Sequence, residues 1–373
     1  MQIPPGTAIA MPHCADRKMA MSGIKISSNP ILAQRLAQGW SQAELAERAG
    51  ISRAAVSAIE GERLSPSVST ALALAAVFEC SVEELFGRAK LSPASTSEWA
   101  WLPRSQPGRY WEAVVDGRRR LYPVEAATVN SNRHDGCWQD GLGCGGGSSL
   151  AEQTLVMASC DPAAGLLAAE YARESGFRLL VFPRGGRAAL ELLRQGLVHL
   201  AGLHYSTDER PQRNAETARA KMPSACRLLR VAKWESGIAL ANEDHSHSVE
   251  SVARRPVRWA AREPGSAARE CMDELLGQRP FHGREVGGHA SVAEAVRSGW
   301  AEAGVCVRFS AVDAGLNFLP VRMEALDLCY SATTQRDPRF QALVRLLRKP
   351  GYRQFVSELP GYDARETGEI HHL

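Results

Sequence analysis

At 373 residues, 45% of them hydrophobic and 23% charged, the chain reads as a globular protein long enough for two or more folded units. A formal charge of +3 excludes a uniformly basic surface, so any nucleic-acid footprint must be local. No apolar run reaches the ~20 residues of a membrane span, residues 1–29 lack an apolar secretory core, and the nine cysteines form no C-x-x-C, so a reducing, cytoplasmic setting is expected.

Residues 1–28 are polar and rich in small side chains, and they predict a disordered tail. The first structured stretch is predicted over 29–88. Ser41-x-x-Glu44 is a capping box that opens a short helix, with Leu45, Ala46 and Ala49 on its apolar side. Gly50 permits the sharp turn, and Ser52 caps a second helix whose inward residues are Val56 and Ile59. An α-hairpin in any helical bundle has this spacing too. A DNA-reading pair is the alternative, since Arg53, Ala54 and Ser57 on the outward face suit base edges in a major groove and Gln42 suits a phosphate.

The run resembles the phage-repressor-like, Xre/Cro class of helix-turn-helix domains over roughly 31–87. The residues that carry this are Leu45-Ala46, Gly50-Ile51-Ser52, Ser57-Ala58-Ile59-Glu60-Gly61 (one residue shorter than the class pattern) and Pro66. Leu72, Leu74, Ala75, Phe78 and the Ser81 to Leu85 cap also fit. The resemblance implies a DNA-binding set of Gln42, Ser52, Arg53, Ala54, Ser57 and Arg63. It also implies that Arg35 pairs with Glu60.

Residues 89–98, rich in Ser, Thr, Pro and Ala, read as a linker. Within 99–150, strands over 110–115 and 120–124 flank Asp116-Gly117, a hairpin signal. Arg118, Arg119 and Arg120 read as a charged edge or a DNA contact. Residues 130–150, with GLGCGGGSS, predict a mobile loop and lack the Gly-Lys-Ser/Thr ending of a phosphate loop. His134, Cys137 and Cys144 fit no standard zinc spacing, and no metal site is predicted.

From residue 154 the chain alternates strands and helices: strand 154–158, helix 163–174, strand 178–182, helix 187–195, strand 198–203. The later unit reads as strands 228–231, 236–240, 257–261 and 303–307, with helices over 267–276 and 291–298 and two closing helices over 339–347 and 351–359. Two α/β units in series predict two lobes over 151–373. Ligands of such sheets sit beyond the strand ends, against helix N-termini. Four junctions qualify: Ser159-Cys160-Asp161-Pro162, Arg184-Gly185-Gly186-Arg187, Pro264-Gly265-Ser266, and His289-Ala290-Ser291 with Glu294 as a capping box. Caps and glycine turns are also what any α/β domain needs.

This region resembles the periplasmic-binding-protein-like domain of type II, the LysR-effector and molybdate-binding class. Carrying it are Ser159-x-Asp161-Pro162, Gly185-Gly186 with Ala188-Ala189-Leu190, and Gly196 to His204. Arg262 to Arg269, Val292-Ala293-x-Ala295-Val296 and Leu359-Pro360-Gly361-Tyr362-Asp363 continue it. The implied fold is multi-domain: an all-α helix-turn-helix bundle, then a two-lobed α/β periplasmic-binding-protein-like domain. The implied ligand-binding set is Ser159, Asp161, Gly185, Gly186, His204, Tyr205, Gly265, Ser266, Arg269 and Ser291. An oxyanion such as molybdate or tungstate suits the helix N-termini, whereas a cleft-facing Asp161 would repel it. His204, Tyr205 and Trp234 suit an organic ligand.

The expectation is a non-enzymatic one-component transcription regulator, a homodimer or higher homo-oligomer on double-stranded operator DNA, with a small-molecule or oxyanion effector and no cofactor. The rivals are a cysteine-based redox sensor and an enzyme. For the latter Cys160 would be the nucleophile, but the sequence defines no base for it.

Overall fold

The computed structural model describes residues 29–61, 63–78, 80, 82, 85, 98–104, 108–125, 132–139, 142–144, 149–222 and 225–372. The chain divides into two compact units, residues up to 90 and residues from 91 onward. The tail predicted over 1–28 lies outside the described residues, as does all but the last residue of the linker predicted over 89–98.

The first unit holds α1 (Pro30–Ala37), α2 (Gln42–Ala49), α3 (Arg53–Glu60) and α4 (Val68–Val77). Local chemistry sets their ends. The Asn29 side chain accepts from the Ile31 and Leu32 amides. Ser41 and Glu44 form a complete capping box, and Gly50 at φ +64° ends α2. Ser52 and Ser67 cap α3 and α4. Leu45, Ala46, Ala49, Val56, Ile59, Leu74 and Ala75 form one core with Ile31 and Leu85. Arg35 Nε donates to Glu60 Oε1 at 2.6 Å and Nη2 to Oε2 at 3.1 Å, both residues buried, which is the pairing implied by the resemblance.

The second unit opens with β1 (Glu98–Trp99), β2 (Gly108–Val115), β3 (Arg118–Pro123), β4 (Gly136–Gln139) and β5 (Leu142–Cys144), in sheet order β1-β3-β2-β4-β5. Asp116 and Gly117, at φ +49° and +73°, make the predicted hairpin turn. The glycine-rich stretch expected as a loop over 130–150 instead supplies β4 and β5. The free edge of β2 takes β4 antiparallel, Gly108 opposite Trp138 and Tyr110 opposite Gly136, so pairing satisfies its backbone. This small sheet packs on the larger one: Tyr122 stacks on Phe182 at 5.5 Å and donates to the Leu197 carbonyl at 2.7 Å.

The ligand-domain elements are β6 (Thr154–Ser159), α5 (Ala164–Ser175), β7 (Arg178–Pro183), α6 (Gly186–Arg194), β8 (Leu200–Thr207), α7 (Arg213–Lys221) and β9 (Cys226–Leu240). Then come α8 (Val249–Arg254), β10 (Trp259–Ala261), α9 (Ala267–Leu276), β11 (Gly283–Glu285), α10 (His289–Arg297), β12 (Ala303–Val307), α11 (Arg308–Asp313) and β13 (Asn317–Ser331). The closing elements are α12 (Pro338–Arg348), α13 (Pro350–Ser357), β14 (Tyr362–Asp363) and β15 (Ile370–His372).

The large sheet runs β11-β10-β12-β9-β13-β8-β6-β7. Each end has the same local plan, a second, first and third strand followed by the shared pair β9 and β13. The first lobe is built on β6, β7 and β8, the second on β10, β11 and β12. The first halves of β9 and the last of β13 lie with the first lobe, where β13 pairs β8. Their other halves lie with the second, where Ser236 to Leu240 pairs β12. The two strands predicted over 228–231 and 236–240 are thus one strand of 15 residues. Hydrophobic clusters cover both faces of each lobe. An N-terminal helix-turn-helix region is followed by a mixed α/β, two-lobed fold. Among the described residues no helix is long and apolar enough to cross a membrane.

Candidate functional site

Two surfaces carry candidate chemistry. The first is α3. Arg53 and Ala54 are exposed and Ser57 is half-buried on the face away from Val56 and Ile59, and Arg63 is exposed beyond it. Ser52 is spent on the cap, accepting from the Ala55 amide at 3.1 Å. Gln42, expected to meet a phosphate, instead donates to Glu60 Oε2 at 2.8 Å, because that buried carboxylate has acceptor capacity beyond Arg35.

The second lies between the lobes. The loop after β6 places Cys160, β8 carries His204 and Tyr205, and β9 and β13 carry Trp234 and Glu324 directly opposite each other. From the second lobe come Arg262 after β10 and His289 at the start of α10. His204 Nδ1 faces Glu324 Oε2 at 2.8 Å, so its Nε2 faces Cys160 Sγ at 3.1 Å. Glu324 is held further by Trp234 Nε1 at 3.3 Å and Arg322 Nε at 2.8 Å. His289 lies 5.5 Å from His204 and 6.0 Å from Trp234, ring to ring. Both ring nitrogens of His289, and Nη1 of Arg262, are buried with no hydrogen-bond partner.

The electrostatics follow from the burial of this group. Burial alone would raise the Cys160 thiol, but His204 and then Arg262 outweigh it and hold the thiol below its ordinary value. Burial lowers His204, yet Cys160 and Glu324 raise it to about 10. Glu324 is held below the ordinary range despite its burial, by His204 and Arg322. Burial, with Arg262 and His204 adding to it, keeps His289 well below its ordinary value and so neutral. Cys160 and His204 thus shift in opposite directions, each moved by the other, beside an imidazole whose charged form burial disfavours.

The predicted ligand set is only partly brought together. His204 is central. Ser159 accepts from the Asp161 amide at 3.3 Å. Asp161 is buried and accepts from the Ala163 amide and from Tyr362 Oη at 2.9 and 2.6 Å, and burial raises its carboxyl. Gly185 and Tyr205 of the first lobe meet Glu263 and Gly265 of the second, and Gly186 lies under the Tyr205 ring. Tyr205 Oη donates to the Gly265 carbonyl at 2.9 Å. A Cβ on Gly185 would sit 2.1 Å from Glu263 Oε1, and one on Gly265 2.3 Å from the Arg187 guanidinium. The lobes are closed on each other here. Ser266 caps α9 and donates to the Glu263 carbonyl.

Two predicted ligand residues do not join the cluster. Arg269 pairs with Asp273 at 2.8 Å and Glu285 at 3.4 Å and lies over Phe281, touching the site only through the Arg262 carbonyl. Ser291 is exposed and caps nothing. The helix begins two residues earlier, at His289 after Gly288, and Glu294 pairs with Arg297. Residues not assigned from sequence are Arg322, Glu324 and His289, together with the Cys160–His204 contact. The available signal was the charged pair Arg322-x-Glu324 in the middle of a strand-like run.

Elsewhere His134 Nε2 lies 3.9 Å from Cys137 Sγ. Arg118 is exposed, while Arg120 is buried and Arg119 pairs with Glu112, so the arginine run is divided between edge and core.

Comparison with known proteins agrees with this division. A helix-turn-helix family model matches residues 31–85, and a PBP superfamily domain model matches residues 168–348. The uncharacterized protein YvgK of Bacillus subtilis (strain 168) is 27% identical over 198 residues, which are 50% of this chain. The match spans 63% of that relative's length. Among solved structures, the ancestral amino acid-binding protein AncCDT-1, a precursor of cyclohexadienyl dehydratase, is 17% identical. The match covers 57% of this chain and 99% of that one at a TM-score of 0.42. PhnD1 from Prochlorococcus marinus (MIT 9301), in complex with methylphosphonate, is 11% identical. There the match covers 59% of this chain and 93% of that one at a TM-score of 0.41. These two likenesses say nothing of what the cleft of this chain holds. A DNA-binding helix-turn-helix domain and a periplasmic-binding-protein-like domain in one chain support a ligand-sensing transcription regulator.

Proposed function

We propose that this chain is a cytoplasmic, non-enzymatic one-component transcription regulator. Its α2–α3 pair binds operator DNA as a homodimer on a pseudo-palindromic site. A small ligand taken between the lobes alters lobe closure and thereby operator affinity. The observation that carries this is unfilled hydrogen-bonding capacity in a fully buried place: both nitrogens of His289 and Nη1 of Arg262. Buried polar groups are nearly always paired, so a bound partner is the economical reading.

For ligand class, Arg262 and the starts of α6 and α9 favour an anion, and molybdate and tungstate belong in the test. Asp161 is turned to Tyr362 and the Ala163 amide, which weakens the objection to an oxyanion. The rings of Trp234, Tyr205 and Tyr362 favour an organic molecule instead.

The test is a melting screen of the full chain against molybdate, tungstate, sulfate, phosphate, organic acids and amino acids. A ligand at ~100 times its Kd stabilises by about 2.7 kcal/mol. The stabilising compound is then added to protein and operator DNA at fixed salt. Operator affinity should shift roughly 5–150-fold. An unchanged affinity at saturation defeats the sensing reading.

One observation favours a second reading: Cys160, His204 and Glu324 repeat the order of nucleophile, base and orienting carboxylate. Under that reading the stabilising compound is recovered chemically altered; under the first it is recovered intact.

A further inference from the structure

Cys160 Sγ and ring nitrogens of His204 and His289 all lie within 4.8 Å of one another, and all three residues are buried. Each is prepared for ligation in a different way. The Nδ1–H of His204 is committed to Glu324, itself fixed by Trp234 and Arg322. A carboxylate behind an imidazole is the outer-shell device that sets tautomer and ring orientation in metal sites, and it leaves Nε2 for the metal. His289 is 1% exposed, and neither of its nitrogens has a partner, an arrangement that nothing in the fold of α10 requires. Cys160 offers sulfur 3.1 Å from His204 Nε2.

We propose that Cys160, His204 and His289 bind a thiophilic metal ion of the zinc(II) type between the lobes. The inference rests on the reading of this cleft as the ligand site and names the class of ligand. One thiolate and two imidazoles are the donor set of borderline-to-soft ions, not of magnesium or calcium. Bonds of about 2.0–2.3 Å place tetrahedral donors about 3.3–3.8 Å apart, so the widest separation, at most 4.8 Å, must shrink and the Cys160–His204 pair at 3.1 Å must open slightly, both small movements. Three protein ligands leave a fourth position open. Arg262 opposes a cation, but its Nε and Nη2 are bound to the Glu263 carboxylate at 2.9 Å. Its remaining Nη1 suits an anion in the fourth position. Two ligands come from the first lobe and one from the second, so the metal would tie the lobes together. The nucleophile reading of Cys160 leaves His289 without a role; the metal reading uses it.

The experiment takes the full chain, stripped with chelator, and titrates it with cobalt(II) in the absence of DNA. The expected result is one ion per chain, visible bands of a tetrahedral site and a near-ultraviolet thiolate-to-cobalt band, all displaced by zinc(II). Cys160→Ser should abolish the thiolate band. His289→Ala should weaken binding about tenfold or more. That variant removes a ring with no hydrogen bonds, so its circular dichroism should match the parent. Cys137→Ser and His371→Ala should leave the spectrum unchanged, setting aside the other thiol–imidazole pair and the C-terminal histidines. Absence of the thiolate band, its survival in Cys160→Ser, or unweakened binding in His289→Ala overturns the proposal. Binding of cobalt as described, with operator affinity unmoved by zinc, keeps the metal site and defeats the sensing reading instead.

Discussion

Glu60 accepts from Arg35 through both carboxylate oxygens and from Gln42 through one, with 6% of the residue exposed. Removing one partner of a buried pair leaves the other charge uncompensated, which costs more than the pair itself contributes. Glu60→Gln should therefore destabilise the first unit by about 3 kcal/mol, and Arg35→Met with Glu60→Leu should recover most of the loss. Hydrogen exchange of α2 and α3 amides in the full chain reads both; unchanged protection in Glu60→Gln would refute the argument. A second residue, His199, ties stability to pH. Its Nδ1 accepts from the Val156 amide at 2.9 Å, so the neutral ring carries its proton on Nε2, facing the Val114 carbonyl at 3.1 Å. Burial, then Arg339, lowers it to about 3. A depressed folded value means the unfolded chain takes the proton first. The contribution is thus complete above about 6.5 and is lost as pH falls toward about 3, by at most about 1.4 kcal/mol per pH unit. Denaturation midpoints across that window should show the slope, and His199→Asn, which keeps an acceptor for Val156, should flatten it.

At the scale of elements, what was legible is what is local. The Ser41–Glu44 box, the Ser52 cap and the Asp116-Gly117 turn each depend on residues within a few positions, and the structure has them; the box read at Ser291 and Glu294 is absent, because α10 begins at His289. Strand β9 was misread because Lys233-Trp234-Glu235 interrupts the apolar run. Its side chains instead turn to partners far along the chain: Trp234 to Glu324, Lys233 to Glu366, Glu235 to Arg308. The site escaped for the same reason. His204 meets the Glu324 carboxylate 120 positions away, a separation at which periodicity and caps carry no information. The paired strands also make a packing prediction. A Cβ on Gly237 would sit 2.2 Å from the Leu319 carbonyl oxygen on β13. Backbone cannot swing aside as a side-chain tip does, so Gly237→Ala should cost about 1–3 kcal/mol. Gly287→Ala, with no atom within 4 Å of its Cβ, should stay within about 0.5 kcal/mol. Thermal denaturation compares the two, and equal melting points would reject the clash.

For the whole molecule, the charge argument belongs to DNA binding. A chain of formal charge +3 has little long-range attraction for DNA, so the few exposed arginines near α3 carry the electrostatic share. If each protomer of a dimer sets Arg53 on a phosphate, Arg53→Ala removes two contacts and should flatten the plot of log affinity against log salt by about 1.8. A change of about 0.9 would mean one protomer bound, and no change would take Arg53 off the phosphate backbone. The shared strands have a further consequence, for the order in which the chain is made. Strand β8 needs β13 as its neighbour, and β13 ends at Ser331. The first lobe therefore emerges from the ribosome with β8 paired only to β6, its other edge open, and waits through the synthesis of the entire second lobe before its sheet can close. The helical unit, complete by about residue 85, has no such wait. During each round of translation a finished DNA-binding unit is thus tethered to an unfinished ligand domain, and a chaperone that shields β8 during that interval should raise the yield of intact protein.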